Sequence, residues 1–274
     1  MRCLGTRLYA ALVIAFIAPL AVAQVSIIGD LSQDREAHPG QKYDGSILVK
    51  NDSKETQQAR VYQTDYLFSY DGRNNYADPG TTARSNARWV AFSPAYVVVP
   101  PQGTATVNYT VAVPESLGHA APAGSYWSML MVEGVPADSP ESSPRAKSEK
   151  PELGLRQTLR YGIQIATHIT GTGKRSVKFL GARLIKVAGS GTALQVDVED
   201  DGTLWFRPDV YVEVFDAKGI SLGKFAGQKY RMYPGTSVRQ QIDLHTIPAG
   251  KYKALVVVDA GGDDVFGAQY VLEF

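Results

Sequence analysis

From residue 25 onward, apolar side chains recur at every second position and seldom at the three-to-four spacing of an amphipathic helix. Val107, Tyr109, Val111 and Val113 share one parity, as do Tyr252, Ala254, Val256 and Val258, and again Phe266, Ala268, Tyr270, Leu272 and Phe274. Turn-forming residues separate these runs at Pro39-Gly40, Asp71-Gly72, Pro100-Pro101-Gln102-Gly103, Asp201-Gly202, Pro234-Gly235 and Gly261-Gly262. Short alternating strands with turns at this spacing predict an all-β chain of sandwich type.

A repeat sharpens the expectation. Gly103-Thr104-Ala105-Thr106-Val107 launches a strand that leads to Pro122-Ala123-Gly124-Ser125-Tyr126. Gly235-Thr236-Ser237-Val238 launches another that leads to Pro248-Ala249-Gly250-Lys251-Tyr252. A Tyr just inside a tight corner is the arrangement of the tyrosine corner in immunoglobulin-like sandwiches, where the hydroxyl satisfies corner backbone. Two ordered copies predict two tandem immunoglobulin-like β-sandwich domains. The division is expected near Gly171-Thr172-Gly173, giving domains over 24–170 and 171–274. Residues 136–152, rich in Pro, Ser, Glu and Lys, read as a mobile loop within the first.

The first 23 residues read as a cleaved secretory signal. Arg2 and Arg7 precede an uncharged run from Leu8 to Ala23 that ends Ala21-Val22-Ala23. That run contains Pro19 and falls short of the roughly 20 residues a spanning helix needs, and no later segment is long and apolar enough to cross a membrane. The single Cys, Cys3, lies in the leader, so the exported part would carry neither a disulfide nor a cysteine nucleophile. A soluble, disulfide-free exported protein points to a periplasm, with the cell surface as the alternative. The 28 basic and 27 acidic residues balance, which gives no electrostatic footprint for nucleic acid.

Catalytic and metal signatures are missing from the sequence. His38, His119, His168 and His245 are widely spaced, so no metal site is expected. The acidic runs Asp197, Glu199, Asp200, Asp201 and Asp259, Asp263, Asp264 do not match a calcium-loop spacing and read as hairpin turns. No phosphate-cradling loop, nucleophile elbow or cofactor fingerprint occurs, so the chain reads as non-enzymatic and free of cofactors. Tyr62, Tyr66, Phe68 and Tyr70 share a parity and are expected on the buried face of a strand rather than in a sugar-binding groove.

The segment after the loop is the most informative. Leu153, Leu155, Leu159, Tyr161, Ile163, Ile165 and Ile169 fall on one parity, interrupted by Gln157 and Thr167. A single strand of that length would reach ~56 Å, well beyond the usual five or six residues, with its first half projecting past its own core. The alternative is two strands that bend near Gly162.

Together with Trp89-Val90-Ala91-Phe92-Ser93-Pro94 and the Val99-Pro100-Pro101-Gln102-Gly103 turn, this segment resembles periplasmic pilus-assembly chaperones. That resemblance implies donor-strand complementation, in which alternate apolar side chains fill the groove of an incomplete pilin-like subunit while main-chain hydrogen bonds extend its sheet. The donated residues would be Leu153, Leu155, Leu159 and Tyr161. The resemblance also implies a basic anchor for a subunit's terminal carboxylate. Arg160 is the match on the donated strand, and Arg35 is the nearest basic residue beside the first strand. The implied partners are pilin-like or other envelope protein subunits, with an outer-membrane usher as a further one. Pro39-Gly40 and Ile47-Leu48-Val49-Lys50-Asn51 also resemble surface domains of WxL-interacting cell-wall proteins, which imply instead a cell-surface adhesion or wall-binding module.

Overall fold

The structure, a computed structural model, describes residues 25–135, 158–187, 191–245 and 247–274. Strands account for nearly all of its regular structure, and they form two immunoglobulin-like sandwiches. In the first, one sheet has the order β1 (Ser26–Ile28), β3 (Lys42–Lys50), β8 (Thr104–Ala112), β6 (Val90–Ser93). The facing sheet runs β2 (Ser32–Ala37), β10 (Arg160–Ile169), β9 (Gly124–Val135), β4 (Gln57–Phe68), β5 (Asn74–Ala77), with β7 (Tyr96–Val99) also paired to β4. The second sandwich pairs a sheet of β11 (Val177–Val187), β12 (Gly191–Asp200) and β15 (Ser237–Asp243) with one of β14 (Ser221–Ala226), β13 (Asp209–Phe215), β16 (Lys251–Asp259) and β17 (Val265–Glu273).

Alternation explains most of this. In β8 the buried positions are Val107, Tyr109 and Val111, and they meet Ile47 and Val49 of β3, Val61 of β4, Leu130 and Val132 of β9, and Ile163 and Ile165 of β10 in one core. The second core gathers Leu194, Val196 and Val198 of β12, Val212 and Val214 of β13, and Val256 and Val258 of β16. At the first Pro-Ala-Gly corner the Tyr126 hydroxyl accepts the Ala123 N–H at 3.4 Å. At the second, Tyr252 packs edge-on against Phe274, with ring centroids 5.5 Å apart.

The parity of Tyr62 and Tyr66 turns out differently from the expectation. In β4 the core-facing residues are Ala59 and Val61, so Tyr62, Tyr66 and Phe68 lie on the outer face of their sheet. That face is itself largely covered. In β9 every residue but Glu133 is buried, on both sides of the strand. Phe68 packs with Trp127 of β9, Tyr233 and Trp205 in a third cluster where the two sandwiches meet.

That junction is tight. Gly124 has φ +76, and a Cβ there would lie 1.9 Å from the Thr203 carbonyl oxygen, so only glycine permits this approach of the two sandwiches. Ser125 N–H donates to Thr203 O at 2.8 Å beside it, and Tyr70 N–H reaches Ser237 Oγ at 3.1 Å.

Candidate functional site

Strand β10 runs through Gly162 without a break. It pairs antiparallel with β9 along its whole length, from Arg160 opposite Glu133 to Ile169 opposite Gly124. Its other edge is only partly covered. Strand β2 pairs with it in parallel over Gln164–Ile169, and the Gln164 N–H donates to Leu31 O at 2.8 Å. Over 160–163 that edge has no partner among the described residues. Large apolar side chains stand exposed at the two ends of the gap: Leu31 at 49% and Leu159 at 37%. An unpaired stretch of strand with exposed apolar neighbours can accept another strand.

The expected donated residues divide accordingly. Leu159 is exposed just before β10, and its carbonyl accepts the Gly134 N–H at 3.4 Å, so the chain is already held to β9 there. Tyr161 is half-buried and packs on the first core. Leu153 and Leu155 lie outside the described residues, as do the leader and the 136–152 loop. The parity of β10 is otherwise inward for Ile163, Ile165, Thr167 and Ile169, all buried.

Arg160 is not a bare cation. Its guanidinium is 3.3 Å from Glu133 Oε2, and Arg60 donates to the same oxygen at 3.0 Å. The Tyr62 hydroxyl is a third donor at 3.2 Å, and both guanidiniums lie over the Tyr62 ring, at 5.1 and 5.9 Å. Partial burial would raise the Glu133 carboxyl, but hydrogen bonds from Arg60 and Arg160 outweigh it and hold the group below its usual range. Both guanidiniums and the Tyr62 hydroxyl thus converge on one carboxylate on the outer face of the sheet. Arg35 lies elsewhere, exposed on β2, in a groove of about 440 Å³ lined also by Ser32, Asp34 and Arg231.

That groove leads to a polar cluster that sequence reasoning missed. His168 Nε2 is 3.3 Å from Asp34 Oδ1, and its Nδ1 is 2.9 Å from Ser125 Oγ. From the second sandwich, Arg231 pairs with Asp34 Oδ2 and the Tyr233 hydroxyl donates to Asp34 Oδ1 at 3.2 Å. Trp205 stacks on His168 with centroids 5.0 Å apart, and Arg231 lies over the Trp205 ring at 5.1 Å. Burial works against the Asp34 carboxylate, yet hydrogen bonds from His168 and Arg231 bring its pKa down to about 2.

A serine, a histidine and an aspartate in one chain of contacts suggest a nucleophile relay, but the geometry does not serve one. Ser125 is fully buried, and its Oγ already accepts the Trp205 N–H at 3.0 Å, so no substrate carbonyl can approach it. The cluster ties β2, β9 and β10 to the second sandwich. Among the described residues no three His, Cys, Asp or Glu side chains are placed to hold a metal ion. Asp197 of the acidic run is held instead by the Arg239 fork, at 2.7 and 2.8 Å.

No protein-family model matches the chain, and no curated protein matches it in sequence. Solved structures do match it. A chain of the chaperone–tip adhesin complex of CFA/I fimbriae biogenesis aligns at 14% identity with a TM-score of 0.47, covering 91% of this chain and 99% of that one. A chain of the CsuC–CsuE chaperone–tip adhesion subunit pre-assembly complex of Acinetobacter baumannii aligns at 13% identity and 0.45, covering 91% and 98%. The Salmonella enterica SafA pilin–SafB chaperone complex supplies another, at 13% and 0.42, covering 92% and 98%. Each likeness is one of fold. Among the described residues no helix is long and apolar enough to cross a membrane.

Proposed function

We propose that this chain is an exported, non-enzymatic binding protein of the periplasm that holds pilin-like subunits by lending them a strand. The observation that carries the reading is the edge of β10 at 160–163, uncovered among the described residues and flanked by exposed Leu31 and Leu159. Main-chain groups on that edge supply hydrogen bonds, and the alternate residues Leu153, Leu155 and Leu159 supply side chains for successive pockets of the client, while Tyr161 stays on its own core. Arg160, 53% exposed at its side chain, offers positive charge to a client carboxylate on the outer face. An outer-membrane usher would then receive the client.

The test is recovery of a small pilin-like client with tagged protein from a native periplasmic extract. One leucine seated in a client pocket contributes roughly 1.5–3 kcal/mol, so Leu159→Ser is expected to weaken binding about 10- to 150-fold. Leu159 is already 37% exposed, so the melting temperature should hold. Unchanged client recovery with an intact fold would reject the reading.

A further inference from the structure

The second sandwich has four edge strands without a second strand partner among the described residues, β11, β15, β14 and β17. Strand β15 is mostly buried, with the Gln240 amide bonded to the Gln228 backbone, and β11 and β14 are blunted. Strand β11 carries a register shift between Phe179 and Gly181 and the charges Lys178, Arg183 and Lys186. Strand β14 is short, meets a register shift at Val214/Phe215, and contains Lys224 and Gly223 at φ +135. Bulges and inserted lysines are the usual ways of preventing one edge from pairing with another. Strand β17 has neither. It pairs with β16 residue for residue over nine positions, from Val265 opposite Asp259 to Glu273 opposite Lys251, and its one charge is Glu273. Its outward side chains include Val265 at 56% exposure and Val271 at 73%, with Leu255 of β16 exposed at 38% beside them.

We infer that β17 pairs antiparallel with β17 of a second copy of this chain about a twofold axis at Gln269. The sequence of the strand is self-complementary about that residue. Residues directly opposite one another in an antiparallel pair share a face. The twofold therefore sets the exposed Val271 over Gly267 of the second copy, which has no side chain of its own and is bordered by Leu255. On the other face, Tyr270 meets Ala268. Large residues face small ones at both steps on either side of the axis, and the two Gln269 amides, which can donate and accept, meet on it. Glu273 lies opposite Val265 and keeps its own Lys251, 3.7 Å away. Closure about a twofold consumes both edges, so the assembly stops at two and forms one continuous eight-stranded sheet.

Nine residues span about 30 Å. A strip of that length and one sheet thick buries on the order of 600–800 Å², below the usual size of stable interfaces. The dimer is therefore weak and dependent on concentration.

The experiment uses the full chain with Cys3→Ser, so that an introduced thiol is the only one. Gln269→Cys places two thiols on the axis, at a Cα separation of about 4.5–5.5 Å that a disulfide can bridge. Val265→Cys is a control on an equally open position whose two copies would lie about 27 Å apart along the strands. Under mild oxidant, Gln269→Cys is expected to cross-link at least tenfold faster than Val265→Cys. Adding Val271→Lys should abolish that advantage without lowering the melting temperature. Equal rates for the two cysteines, or no cross-linked dimer at millimolar protein, would overturn the inference. Client recovery through β10 should be the same in all these variants, so this result and that of the Leu159 experiment are read separately.

Discussion

Trp127→Ala is expected to destabilise the protein by roughly 4 kcal/mol, the cost typical of emptying a buried aromatic site, and to split one unfolding transition into two. Trp127 is 2% exposed and lies where the sandwiches meet rather than in either main core. Its ring packs against Tyr233 of the second sandwich at 5.0 Å, and its indole N–H donates to Tyr66 O at 2.9 Å. Alanine would leave a cavity that neither sandwich can collapse into alone, and would strip the Tyr66 carbonyl of that donor. The other ties are polar or stacking contacts of smaller area: Arg231 and Tyr233 to Asp34, Ser125 to Thr203, Tyr70 to Ser237, and Trp205 to Ser125 and His168. Leu130→Ala is the control. Leu130 is fully buried inside the first core, so its loss should weaken the first sandwich without uncoupling the pair. Calorimetry distinguishes the two, and a single sharp transition in Trp127→Ala would refute a coupling role for the indole.

The alternation that predicted two sandwiches was legible because each core is filled by residues of one parity. Val107, Tyr109 and Val111 in β8 and Ala254, Val256 and Val258 in β16 are buried as their spacing requires. Parity says which side chains share a face, but not which face looks inward. In β4 both faces carry large apolar groups, because the outer face of that sheet is half covered, and Tyr62 was assigned to the wrong side for that reason. The junction was invisible for a different reason. Arg231, Tyr233 and Trp205 sit in segments with no period, where the backbone pairing is an isolated bridge between Phe206 and Met232. His168 looked ordinary because its partners Asp34 and Ser125 are 134 and 43 residues away.

The candidate site was half legible. Alternation marked Leu159 and Tyr161, and Arg160 followed from the resemblance. That Arg160 shares Glu133 with Arg60 depends on β4, β9 and β10 lying side by side, which one sequence does not display. A long strand read from the pattern also says nothing of its neighbours. The cover that β2 gives to Gln164–Ile169, and withholds from 160–163, is a fact of topology.

Asp200→Asn is expected to stabilise the protein by about 4 kcal/mol at pH 8 and to do almost nothing at pH 4. Asp200 ends β12 with no exposed surface; its Oδ1 accepts the Gly202 N–H at 2.8 Å, and its Oδ2 is buried without a partner. Burial pushes the carboxyl up to about 7, against the Gly202 hydrogen bond and the charge of Arg84, while Asp201 and Glu199 add to the rise. The folded protein thus holds a proton that the unfolded chain releases near pH 4. Stability falls as pH rises from about 4 to about 7, and the loss is complete above that. Asparagine keeps the acceptor for Gly202 and carries no charge to desolvate, so the variant lacks this fall. Asp34 acts in the opposite sense. Its folded pKa of about 2 lies below the usual value, so its contribution is full above pH 4 and disappears as pH drops towards 2. The two groups together put the stability maximum of the unaltered protein near pH 4 to 5. Urea unfolding at pH 4, 6 and 8 measures the difference between Asp200→Asn and the parent, which should grow through that series. A difference that stays constant across the three would mean that Asp200 is ionised throughout and that its burial carries no such cost.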